Sequence, residues 1–103
     1  MNFNLTQIPE RNTKPRNHGI TMVMDKGLSV EEAKNFMSIA EPHVDIVKLG
    51  FGTSFVTPNL RAKLDVYASF NIPVYFGGTL FEAFLIRNQF EDYISVCKEY
   101  GIT

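Results

Sequence analysis

Val44-Asp45-Ile46-Val47-Lys48-Leu49-Gly50-Phe51-Gly52-Thr53-Ser54 is the stretch that decides the fold of this chain. Its first half is a short apolar run that reads as a strand, and its glycines break that strand into a loop. Thr57-Pro58 just downstream reads as a helix start: a capping hydroxyl, then a proline whose missing amide costs nothing there. The pattern recurs on both sides. Upstream, residues 20–24 are apolar and end at Asp25-Lys26-Gly27, and Ser29 with Glu32 then forms a capping box. Val30, Ala33, Phe36, Met37 and Ala40 follow at helical spacing, closing near Pro42. Downstream, Leu60, Leu64, Tyr67 and Ala68 mark one helix face, with Asn71 as its terminator. Residues 72–76 then run as a third strand into Gly77-Gly78-Thr79. Helical segments come next, with a break at Asn88, where Asn88 and Glu91 are placed for another capping box. Phe90, Tyr93, Ile94 and Cys97 form the last apolar face, closed by Gly101.

The order is therefore β-α-β-α-β-α, the pattern of an α/β fold with parallel strands and crossover helices. Short, apolar strands agree with burial on both faces. An open doubly wound sheet and a (β/α)8 barrel both fit. Residues 1–18, polar and holding Pro9 and Pro15, read as a lead-in segment, and residues 19–103 as the α/β domain.

Composition narrows the function classes. An apolar content of 45% with 13% aromatics supports a packed core rather than disorder. Ten basic against eleven acidic side chains give no basic excess for nucleic acid. Cys97 stands alone, so no internal disulfide forms, as expected of a reducing cytoplasm. No apolar run approaches the ~20 residues of a membrane span, and the first residues carry no signal-peptide core, so a cytoplasmic protein off the membrane is expected.

The chemistry-bearing residues gather just after the strands, where ligands bind in α/β folds. Lys48 lies inside an apolar strand, and a buried ammonium needs a carboxylate or an anionic ligand. A structural ion pair would serve it equally well. Lys26 sits at a strand end, where it is either solvated or available to an anion. Gly50, Gly52, Gly77 and Gly78 let backbone amides approach an anion, or simply make tight turns. They form neither a P-loop nor a dinucleotide fingerprint. The hydroxyls of Thr53, Ser54 and Thr79 are suited to phosphate or to helix capping. Asp25 and Glu82, after different strands, are candidates to share one Mg2+, although Glu82 would also serve a helix dipole. His18 and His43 have no partner at metal-ligand spacing.

Taken together, Met24-Asp25-Lys26-Gly27, Lys48-Leu49-Gly50-Phe51-Gly52-Thr53-Ser54 and Gly77-Gly78-Thr79-Leu80-Phe81-Glu82 resemble, in order and spacing, the opening motifs of the phosphosulfolactate synthase family. The segment Arg11-Asn12-Thr13-Lys14-Pro15-Arg16 resembles that of its bacterial members. The sequence departs at Leu49 and Phe51, where the family more often has Phe and Trp. The resemblance implies a (β/α)8 TIM barrel and a carbon–sulfur lyase that adds sulfite to phosphoenolpyruvate with Mg2+, giving (2R)-phospho-3-sulfolactate. In methanogens that step opens coenzyme M biosynthesis, and bacterial relatives are tied to other sulfonates. It further implies Lys26 and Lys48 as catalytic cations, Asp25 and Glu82 as metal ligands, and the glycines, Thr53, Ser54 and Thr79 as substrate contacts.

A barrel of this kind takes about 250 residues and eight strands. The sequence provides the first three βα units and stops at Ile102-Thr103, where a fourth strand would begin. It is thus expected to be a truncated barrel, inactive alone and prone to associate with copies of itself through open strand edges. A non-catalytic scaffold that completes its sheet by such association is the competing expectation, and a flavodoxin-like half-domain is a third.

Overall fold

The computed structural model describes residues 2–102. Met1 of the expected lead-in segment and Thr103 of the expected α/β domain lie outside the described residues. Three strands, β1 (Met22–Asp25), β2 (Ile46–Leu49) and β3 (Val74–Phe76), form one sheet in the order β1-β2-β3. All neighbours are parallel. Helices alternate with them: α1 (Val30–Ala40), α2 (Thr53–Val56), α3 (Leu60–Ser69), α4 (Gly78–Leu85) and α5 (Phe90–Glu99). The sheet is open, with β1 and β3 at its edges. This is the arrangement of three consecutive βα units of a (β/α) barrel. Among the described residues no helix is long and apolar enough to cross a membrane.

Local chemistry explains most boundaries. Ser29 and Glu32 form the reciprocal capping box at the head of α1, with both side chain–backbone bonds present. Asn71, at φ 58°, and Gly101, at φ 70°, follow the ends of α3 and α5 in the left-handed conformation. Two expected helix starts differ. The helix expected from Thr57-Pro58 begins at Leu60, where the Asn59 side chain accepts from the Ala62 amide. The Thr57 hydroxyl instead donates back to the Thr53 carbonyl, closing the short helix α2 that periodicity could not reveal. Nor does Asn88 cap α5: it takes φ 57° in the turn, and Gln89 holds the cap position without a side-chain bond to the backbone.

The core lies on one face of the sheet. Val47 and Leu49 point from β2 into Ala33 and Met37 of α1 and Leu64 and Tyr67 of α3, all buried. Each of the valine, leucine and methionine side chains among them contributes roughly 1.5–3 kcal/mol by leaving water. The expected α3 face differs in that Ala68 is exposed, while Val66 is buried and Lys63 fully so.

Arg11 and Arg16 grip the amino-terminal end of β2. Arg16 donates to Asp45 at 2.6 Å, to the Pro42 carbonyl and to the Asn12 carbonyl. Arg11 adds bonds to the His43 and Gly19 carbonyls. That end of a parallel sheet, away from the strand-end loops, is where stability rather than ligand binding is usually built.

Candidate active site

Strand register decides which of the expected residues meet. Met24, Lys48 and Tyr75 stand in register across the sheet, and Asp25, Leu49 and Phe76 form the next row. Residues in one row share a face, and successive rows alternate. Leu49 and Phe76 are in the helix-covered core, so Asp25 points there too, whereas Lys48 projects from the opposite face. A single residue of register separates them onto two sides of the sheet.

Asp25 is 2% exposed and fully engaged. Its Oδ1 accepts from the amides of Gly27 and Leu28, both at 2.9 Å, and from Lys63 Nζ at 2.9 Å. Its Oδ2 accepts from the Tyr67 hydroxyl at 2.6 Å and lies 2.9 Å from the same ammonium. Burial by itself would raise the Asp25 pKa. The donors from Tyr67, Lys63, Leu28 and Gly27 outweigh it and hold the carboxyl below its ordinary value. The Tyr67 phenol is pushed well up, by burial and by its bond to the carboxylate.

The sign of the resulting pH dependence follows. A carboxylate with a folded pKa below its unfolded value of about 3.9 stabilises the fold above that pH, and the contribution disappears as pH falls through the folded value. Asp45 is shifted the same way, chiefly by the Thr21 amide, with Arg16 adding to it. The urea midpoint is therefore expected to be level from about pH 8 to pH 5 and to drop below about pH 4. A midpoint unchanged down to pH 3 would contradict this account of Asp25.

Lys48 is half-buried and, among the described residues, forms no ion pair or hydrogen bond. Its stem runs past Gly77: a Cβ built at Gly77 would lie 3.5 Å from Lys48 Cδ and 3.2 Å from the Leu49 carbonyl oxygen. Gly50 is equally close-set, since a Cβ there would meet Met24 Sδ at 2.6 Å. Met24 Cγ would also lie at 2.7 Å, so the whole methionine side chain must rotate aside, but it can do so and the backbone oxygen facing Gly77 cannot. Gly77→Ala is accordingly expected to cost about 1–3 kcal/mol, seen as a lower urea midpoint, with Gly50→Ala milder. Equal losses at the two positions would argue against this packing.

The remaining expected residues divide. Lys26 is exposed, its ammonium 5.5 Å from the centre of the Phe51 ring. A cleft of about 530 Å3 separates its turn from α2 and is lined by Lys26, Gly27, Ser29 and Thr53. The hydroxyls of Thr53 and Ser54 are buried and have no partner among the described residues. Gly52, at φ 71°, precedes α2 in a conformation that favours glycine. Gly78 and Thr79 begin α4, whose head has no side-chain cap, leaving first-turn amides without side-chain acceptors. Glu82 is exposed in the second turn of α4.

Asp25 does not fit Mg2+. Every lone pair it offers is taken by a protein donor, one of them a cation, and its side chain is 1% exposed. Among the described residues no group of three or more His, Cys, Asp or Glu is placed to hold a metal ion.

Sequence reasoning missed Lys63 and Tyr67 as partners of Asp25. One signal was present: Lys63 falls at i+3 from Leu60, inside the apolar stripe of α3, and a lysine there demands a buried acid.

The chain was compared with known proteins. Residues 9–103 match the model of the (2R)-phospho-3-sulfolactate synthase (ComA) family. Phosphosulfolactate synthase of Methanothermobacter thermautotrophicus is 39% identical over 95 residues, covering 90% of this chain and 37% of that protein. The Bacillus subtilis phosphosulfolactate synthase is 32% identical over 101 residues, 98% of this chain and 40% of its own length. That of Methanocaldococcus jannaschii is 34% identical over 85 residues, with 81% and 34% covered. The chain thus spans between a third and two fifths of these relatives.

Proposed function

The chain belongs to the (2R)-phospho-3-sulfolactate synthase family, and on that premise we propose that it forms one side of a site joining sulfite to phosphoenolpyruvate. The observation that carries the reading is Lys48: a half-buried side chain with no protein acceptor for its ammonium among the described residues, beside glycines at two strand ends. An ammonium without a protein acceptor is available to an anionic ligand, and the flanking apolar strand strengthens that attraction. The two substrates are both anions, and bringing them together requires cations.

In the proposed reaction the sulfur lone pair of sulfite attacks the methylene carbon of phosphoenolpyruvate. The carbon–sulfur bond forms as the double-bond electrons move toward the carboxylate, and a proton then reaches the carbon bearing the phosphate. Lys48 faces the developing charge and is the candidate proton donor. Lys26, from the adjoining strand end, offsets the charge of the second anion. Thr53, Ser54 and Thr79, with amides at Gly50, Gly52, Gly77 and Gly78, provide donors for phosphate or sulfite oxygens. A cation that assists this chemistry needs oxygen ligands other than Asp25, and no step is assigned to it.

Phosphorus-31 spectra of phosphoenolpyruvate titrated with the chain test the reading. Saturable broadening that sulfite alters is expected. A phosphorus line unaffected at millimolar protein would sink it.

A second reading has its own observation. Ile20 and Met22 are 57% and 44% exposed beside the open β1 edge. Association of copies at that edge would cover them. A discrete oligomer by light scattering that binds neither anion favours a scaffold.

A further inference from the structure

Asp25, Lys63 and Tyr67 make a buried charged cluster that the proposed chemistry does not use, so its retention within the helix layer needs a reason. A buried ion pair is seldom the most stabilising way to fill such a space, and well-packed apolar residues often do as well. What an apolar replacement could not do is hold the turn after β1. Asp25 Oδ1 binds the amides of Gly27 and Leu28, on the far side of Lys26 from the strand. Lys63 and Tyr67 in turn fix the plane of that carboxylate from α3. The turn is tight enough to need φ 120° at Gly27, and it sends Lys26 over the Phe51 ring.

We infer that Lys63 and Tyr67 are positioning residues that act through Asp25 to place the Lys26 ammonium at the strand-end loops. The inference deepens the anion-site reading and rests on it for its purpose. Its geometry is independent of any ligand. A hydrogen-bonded chain runs Tyr67 and Lys63 to Asp25, then to the Gly27 and Leu28 amides, and so fixes the backbone on either side of Lys26. Tyr67→Phe removes one donor and little volume. The Oδ2 atom then keeps only the Lys63 ammonium, so the carboxylate is less firmly oriented and the turn it anchors loosens.

The test reads the ε-methylene signals of Lys26 in a chain labelled with carbon-13 lysine. In the unaltered protein the Phe51 ring shifts these signals, and Phe51→Leu defines the unshifted position. With Tyr67→Phe or Lys63→Met, each checked for a dispersed amide spectrum, the Lys26 signals are expected to move toward the Phe51→Leu position. The Lys34 and Lys98 signals are expected to stay. A role confined to stability would lower the urea midpoint and leave Lys26 in place, which would overturn the inference. Should Lys63→Met not fold, Tyr67→Phe decides. Should neither fold, couplings across the hydrogen bonds from the Gly27 and Leu28 amides to the Asp25 carboxyl, measured on the unaltered chain, decide: their presence supports the anchor and their absence overturns it. Phosphoenolpyruvate added to the unaltered protein separates the two claims. An unresponsive Lys26 sinks the anion site, whereas an unmoved Lys26 in folded Tyr67→Phe sinks only the positioning role.

Discussion

Asp25→Ala is expected to cost the chain about 3–5 kcal/mol of stability, because it strands a cation rather than merely deleting a contact. Lys63 is fully buried, and its only ion-pair partner among the described residues is Asp25. The Tyr67 hydroxyl and the Gly27 and Leu28 amides lose their acceptor in the same step. Against a typical total of roughly 5–15 kcal/mol, such a loss is a large fraction of the whole. Urea unfolding followed by circular dichroism measures it. The physical cause is separable in a cycle: adding Lys63→Met to Asp25→Ala removes the stranded charge and is expected to restore part of the loss. Restoration stays incomplete, since the two turn amides remain without their acceptor. Simple additivity of the two changes would show that Asp25 and Lys63 do not act as a pair.

Lys48→Met should do the reverse. It replaces a half-buried side chain whose ammonium has no protein partner among the described residues, so stability should hold or rise. Binding of phosphoenolpyruvate, on the proposed reading, should weaken about tenfold to a hundredfold, the worth of one charge-assisted hydrogen bond. Calorimetry or phosphorus-31 line widths can follow the affinity, and urea the stability. A chain destabilised by Lys48→Met with its affinity unchanged would make Lys48 a structural residue. The contrast matters because both lysines lie near apolar surroundings in the sequence. Lys63 has an acid and is expected to hold the fold, whereas Lys48 has no acidic partner among the described residues and, on the proposed reading, serves a ligand.

Much of this was legible before any coordinates. Alternating apolar runs and helix signals give the parallel order, and Ser29 with Glu32 forms the capping box its spacing implies. The strand-end motifs carry the family, which residues 9–103 match. What stayed hidden was register. Asp25 and Lys48 both belong to strand ends, and only the pairing of Met24 with Lys48 shows that Asp25 faces the helices instead. The role of α3 was hidden for a related reason. Tyr67 reads as an ordinary apolar helix position, and its hydroxyl finds Asp25 only through a contact 42 residues apart in sequence. The short helix α2 lies below the length at which periodicity speaks, and Thr57, a good capping residue by type, bonds backward into it.

Amide and lysine spectra of the chain titrated with phosphoenolpyruvate and sulfite test the central claim most directly. The account predicts shifts at Lys26, Lys48, Gly50, Gly52, Gly77 and Gly78, together with Thr53, Ser54 and Thr79. It predicts that Arg11, Arg16 and Asp45, at the opposite end of the sheet, stay still. Shifts confined to that opposite end, or none at the strand-end glycines while the ligand binds, would contradict it.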